Sequence, residues 1–66
     1  MFNESTYLQE LVDNQEKVLL YLMNGFQLRG KILNVGQEAI LFYCEGMEQL
    51  IFKHAISTVK RMSMNI

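Results

Sequence analysis

Phe52-Lys53-His54-Ala55-Ile56-Ser57-Thr58-Val59 is the stretch on which the fold turns. Apolar residues precede and follow one Lys-His pair, with the period of two that marks strands. No Gly or Pro signals the change of direction between them. The pattern predicts two buried strands meeting at a basic corner. The rest of the chain then builds a small barrel that holds this pair at a mouth or seam.

Upstream of the corner, Gln49 to Phe52 reads as the incoming strand, and Glu45-Gly46 as the turn that feeds it. Ala39-Ile40-Leu41-Phe42-Tyr43-Cys44 is an unbroken apolar run, the pattern of a strand buried on both faces. Gly36 marks a break before it. Asn24-Gly25 is a strong hairpin signal, because both residues tolerate the positive φ of a type I′ turn. Before it, Val18, Leu20 and Leu22 alternate with Leu19, Tyr21 and Met23; after it, Phe26, Leu28, Gly30 and Ile32 alternate with Gln27, Arg29 and Lys31. Gly30 inside that run predicts a bulge or sharp bend. Ala55 to Lys60 makes the last strand. Five short strands within about residues 17–61 predict a mainly β fold, a strongly bent antiparallel sheet closing into a small barrel.

The period differs in residues 5–14. Tyr7, Leu8, Leu11 and Val12 fall on one stripe of a helix. Thr6 with Gln9 three residues later fits a capping box, and Asn14 suits a left-handed helix end. So short a helix is not stable alone and must lie on the sheet. Met62 to Ile66 reads as a frayed end. No linker, repeat or low-complexity segment interrupts the 66 residues, which make one domain.

Composition bounds the function. A domain of this size buries only about 60% of the surface its unfolded chain exposes, so small scaffolds need a staple. Cys44 is the only cysteine and His54 the only histidine, which excludes a disulfide within the chain and a four-ligand zinc site. Self-association is left as the stabiliser, and an apolar half of the sequence agrees with a subunit interface. Six Lys/Arg against seven Asp/Glu exclude a binder that works by overall positive charge. Phosphate recognition must come from local placement. The unpaired cysteine fits a reducing cytoplasm. No apolar run approaches the ~18 residues of a membrane span, and no secretory signal pattern is present.

The candidate chemistry is narrow. Gly25 to Lys31 has the spacing of a phosphate-binding loop, but Ile32 stands where the magnesium-binding hydroxyl belongs and a strand continues where a helix should start. Cys44 sits in the most apolar run, unlike a reactive thiol. His54 lacks an orienting group for general-base work, although Lys53 beside it adds a point charge to a flat ring. Tyr21, Phe26 and Leu28 flank the Asn24-Gly25 turn with Gln27 and Arg29 interleaved. Rings that stack bases and amide or guanidinium groups that read their edges suit single-stranded nucleic acid. The competing explanation makes Phe26 and Leu28 the core face of a hairpin.

Tyr21-Leu22-Met23-Asn24-Gly25-Phe26-Gln27-Leu28-Arg29-Gly30, followed by Phe52-Lys53-His54-Ala55-Ile56-Ser57-Thr58, closely resembles Hfq, the bacterial branch of the Sm/Lsm RNA-binding proteins. The two segments carry the two Sm motifs, and the Lys-His-Ala-Ile-Ser-Thr string is highly specific. The likeness spans roughly residues 5 to 60 without a gap and is closest to the Gram-positive type. It implies an Sm-like fold and a non-enzymatic RNA chaperone and post-transcriptional regulator without a cofactor. The implied partners are small regulatory RNAs and messenger RNAs. It also implies a homohexameric ring, in which the fourth strand of one subunit pairs with the fifth of the next.

Two RNA-binding faces follow from the resemblance. Adenine-rich RNA would bind the distal face through Tyr21, Asn24, Gly25, Phe26, Gln27, Leu28, Arg29 and Gln49. Uridine-rich RNA would circle the pore on the proximal face and touch Gln37, Lys53 and His54. The proximal set departs from the family pattern. Glu38 replaces the stacking aromatic, Gly36 and Val35 replace an acidic and an aromatic residue, and Glu4 replaces a Gln before the helix. Val12-Asp13-Asn14-Gln15 stands where many relatives carry a rim arginine cluster. The resemblance therefore implies an intact adenine face and a weakened uridine face. A rival expectation is a degenerate relative that serves as a protein-interaction subunit or modulates another ring.

Overall fold

A computed structural model describes residues 1–62. Helix α1 (Glu4–Asp13) precedes five strands, β1 (Lys17–Leu22), β2 (Gln27–Val35), β3 (Ala39–Cys44), β4 (Met47–Phe52) and β5 (Ile56–Arg61). They form one antiparallel sheet in the order β4-β3-β2-β1-β5. The register slips at Leu33, the extra residue of β2 against β3, and at Ser57, the extra residue of β5 against Tyr21 and Leu22 of β1. Such extra residues bend a strand and sharpen its twist, which curls the sheet.

Leu11, Val18, Leu20, Ile32, Ile40, Phe42 and Cys44 are the buried core. Tyr7, Leu8 and Val12 pack against it from the helix stripe. The helix ends differ from the sequence expectation. Asn3 is the N-cap, its side-chain oxygen accepting the Thr6 N–H at 3.1 Å, while Gln9 donates to Asp13 instead of closing a capping box. Asn3 wins because a cap must be the last non-helical residue, and Thr6 already lies inside the first turn. Asn14 stays right-handed at φ −90°, and the left-handed position falls one residue later at Gln15. At the far end of the sheet Arg61 bridges Glu10 and Glu16, each at 2.8 Å. The Glu10 hydrogen bond, then Glu16's charge, raises the guanidinium pKa against some desolvation.

The turns follow residue chemistry closely. Only Gly25 of the Asn24-Gly25 pair has positive φ, at 93°. Leu22 and Phe26 close a three-residue loop, with Gly25 N–H donating to Leu22 O at 3.0 Å and Leu22 N–H to Phe26 O at 2.8 Å. This is the three-residue hairpin with a left-handed glycine, not the expected type I′ turn. The Asn24 side chain caps it by accepting the Phe26 N–H at 3.0 Å. Both central residues are left-handed at Glu45-Gly46 instead. Gly30 has a different reason: a Cβ there would collide with the Tyr43 carbonyl oxygen. The glycine lets β2 and β3 approach.

Two expectations about burial are corrected. Strand β3 buries Ile40, Phe42 and Cys44 but leaves Tyr43 exposed, so only one face is sealed. Antiparallel sheets commonly keep their second face wet. The strands on either side of Lys53-His54 are not buried either, because β4 and β5 are the two edges of the sheet. Met47, Leu50 and Phe52 of β4 stand exposed. The corner itself is a 3₁₀ turn, Lys53–Ala55, stitched to both neighbouring loops. Lys53 N–H donates to Glu38 O at 2.8 Å, and Ala55 O accepts the Met23 N–H at 2.7 Å. Of the segment read as a frayed end, Met62 donates its N–H to Lys17 O at 3.0 Å, and residues 63–66 lie outside the described residues.

Candidate nucleic-acid interface

Register decides which side chains share a face. Leu20 pairs with Leu28 and Val59 on the core side. One residue along, Tyr21 sits between Gln27 of β2 and Thr58 of β5, and Leu19 between Arg29 and Lys60. Because successive side chains alternate across a sheet, Gln27, Tyr21, Thr58, Arg29 and Lys60 all occupy the outer face. Lys60 Nζ lies 5.6 Å from the centre of the Tyr21 ring, a cation–π contact that holds the ring and leaves the charge exposed. Lys60 was not among the residues expected to act here. Its place in the alternation of the last strand was the available signal.

Phe26 stands at the rim of this face, just before β2, and is 66% exposed. A large aromatic ring with that exposure is not core, so the hairpin-core explanation fails for it. It holds for Leu28, which packs against the core and also lines a hollow with Leu19, Gln27 and Arg29. Asn24 and Gly25 supply the turn. The structure thus gathers seven of the eight residues expected on the adenine face around one hairpin. Gln49 is separate: it lies half-buried on edge strand β4, opposite Phe42, with β3 between it and β2.

The other expected site is built differently. Gln37 is exposed in the loop between β2 and β3. Lys53 is half-buried, and His54 is exposed with its ring stacked on Phe52 at 5.7 Å between centres and 13° between planes. Glu4 is the first residue of α1, not a residue before it, where a negative charge favours the helix dipole. It lines the same hollow of about 410 Å³ as Lys53, together with Ser5, Tyr7 and Ser57. Neither Glu4 nor Glu38 forms an ion pair with Lys53 among the described residues. Among those residues no cluster of His, Cys, Asp or Glu suits a metal ion, and no helix is long and apolar enough to cross a membrane.

A short helix laid on one bent, five-stranded antiparallel sheet defines the class as Sm-like. The family model described as Hfq protein matches residues 4–64, and the chain belongs to the Hfq family. It is similar to the RNA-binding protein Hfq of Oceanobacillus iheyensis, 43% identical over 65 residues, covering 94% of this chain and 88% of the relative. The RNA-binding protein Hfq of Bacillus thuringiensis is 47% identical over 55 residues, covering 83% and 74%. Among solved structures, a crystal structure of the pleiotropic translational regulator Hfq superposes with a TM-score of 0.84 at 33% identity. That likeness covers 86% of this chain and 95% of the other.

Proposed function

We propose that the protein binds adenine-rich single-stranded RNA on the hairpin face and acts as an RNA chaperone for small regulatory and messenger RNAs. The observation that carries this is the exposed Phe26 ring beside Tyr21, Gln27 and Arg29 on one face. Stacking on aromatic rings with polar groups at the base edges is the chemistry of single-strand recognition. No covalent step is required.

The binding form is a homohexameric ring. The two sheet edges are different strands, so pairing β4 of one copy with β5 of the next is head-to-tail and closes into a ring when the rotation permits. Such pairing satisfies the unpaired backbone groups of both edges and covers the exposed apolar residues of β4. It also brings Gln49 of a neighbouring copy toward the hairpin face, which a single subunit does not achieve. The uridine-binding face, made of Gln37, Lys53 and His54, is the weaker of the two. Glu4 shares the Lys53 hollow, and Glu38 offers no stacking ring.

Binding of poly(A) and poly(U), with light-scattering mass measured alongside, tests this. Poly(A) is expected to bind much more tightly, at hexamer mass. Equal affinities would end the asymmetric reading. A stable monomer would end the ring and any site shared between subunits. Failure to bind any oligonucleotide at low salt, where phosphate attraction is strongest, would instead support a protein-interaction subunit.

A further inference from the structure

Beyond the hairpin, the same outer face continues into a second group of cations. Lys17 is directly opposite Lys31 across β1 and β2, and Lys31 is directly opposite Tyr43 across β2 and β3. Lys17, Arg29, Lys31 and Tyr43 line one hollow of about 400 Å³. Among the described residues Glu45 is the one carboxylate on its wall, and Glu48 lies beyond Tyr43 on β4. Like charges directly opposite each other in a sheet are destabilising. Yet Lys17, Arg29 and Lys31 make no ion pair among the described residues. By contrast, Arg61 holds two carboxylates nearby. Four of the six basic residues, Lys17, Arg29, Lys31 and Lys60, therefore stand on the outer face with no ion pair among the described residues, Glu45 being their nearest lining carboxylate.

We infer that Lys17, Arg29 and Lys31 form a phosphate-binding site for the backbone of the RNA strand as it leaves the hairpin face, with the Tyr43 ring placed to stack a base. Arg29 joins the two regions, since it borders both this hollow and the one beside Gln27 and Leu28. The occupant is a polyanion because three converging cations would be relieved by negative charge. It is the RNA strand because the site is continuous with the face proposed to hold the bases. This inference rests on the RNA-binding reading above and extends it to a sequence-independent contact.

The test compares the wild-type protein, Lys17→Gln/Lys31→Gln and Phe26→Ala on an A-rich oligonucleotide across a salt series. Each phosphate contact to a single strand adds about 0.7 to the slope of log affinity against log salt. Losing two lowers that slope by about 1.4, so the double variant loses about sevenfold less affinity than wild type between about 50 and about 200 mM salt. It should also bind more weakly at low salt and unfold at a higher urea concentration, because a like-charge pair has gone. That opposition of signs separates a lost contact from a damaged fold. An unchanged slope in the double variant, with binding lost in Phe26→Ala, overturns the phosphate site and leaves the hairpin reading standing. A reduced slope in the double variant, with Phe26→Ala unaffected, keeps the phosphate site and overturns the hairpin reading. No RNA binding by wild type overturns both. A changed assembly mass in the double variant marks the patch as a contact between copies and overturns the RNA assignment.

Discussion

The hairpin face and the Lys53-His54 corner are two ways of presenting a ring and a cation on the same small sheet. On the hairpin face Phe26 is exposed, and the half-buried Tyr21 has the Lys60 charge over its ring. At the corner the His54 ring is already stacked on Phe52. The charges differ in the same sense. None of Arg29, Lys60 and Lys53 forms an ion pair among the described residues, but Arg29 shares its hollows with Glu45 alone among carboxylates, whereas Lys53 has Glu4 in its hollow and a backbone contact with Glu38. The corner is also a structural seam, because its backbone ties the β2–β3 loop to the hairpin turn. A motif that marks a family thus also holds two loops together through its backbone.

The largest expected effect removes the comparison altogether. Gly30→Ala drives a methyl group into the Tyr43 carbonyl, and overpacking of this kind costs about 1–3 kcal/mol or more. That is a large share of the ~3–10 kcal/mol available to a chain this size. Urea unfolding should show a much lower midpoint, and both faces should lose RNA together. Phe26→Ala comes next. It should lower A-rich affinity by about 1–3 kcal/mol in fluorescence anisotropy, with the urea midpoint unchanged because the ring is exposed. A shifted midpoint would mean the ring is structural.

Glu4→Gln with Glu38→Gln sharpens the contrast from the other side. Removing two exposed negative charges near Lys53 should raise U-rich affinity by about 1 kcal/mol at low salt, and the gain should fade as salt screens it. A-rich affinity should stay as it was; a gain there too would show that the charges act over the whole subunit. The smallest effect belongs to His54→Ala. Stability should change by less than about 0.5 kcal/mol, as for most surface substitutions, and poly(A) binding should stay within about twofold. A loss larger than that of Phe26→Ala would reverse the ranking of the two regions.

Much of the fold was legible because its signals are local. The stripe Tyr7, Leu8, Leu11 and Val12 packs as its spacing predicts, and the alternation of β1 and β2 places Leu20 and Leu28 inward. Gly25 and Gly46 sit at turns as their residue type suggests, whereas Gly30, read as a bulge, marks a close approach to Tyr43, the slip falling between Ile32 and Asn34. What misled was also local. Thr6-Gln9 and Asn24-Gly25 each suit a cap or turn type that a neighbouring residue satisfied better, Asn3 in one case and Gly25 alone in the other. The buried strands expected around Lys53-His54 turned out to be sheet edges, since an apolar pattern alone does not tell a buried strand from an edge strand that keeps apolar residues exposed.

From the sequence alone came the order of elements, the position of each turn, the Sm motifs and the acidic substitutions at Glu4 and Glu38. These depend on residue type and on spacing within a few positions. Only the tertiary structure decided that Lys60 reaches Tyr21, that Glu4 shares a hollow with Lys53, and that Lys17, Arg29 and Lys31 converge. Those neighbours are set by inter-strand register and by the slips near Tyr21 and Ile32. Because side chains alternate, a one-residue change of register moves every residue of a strand to the opposite face.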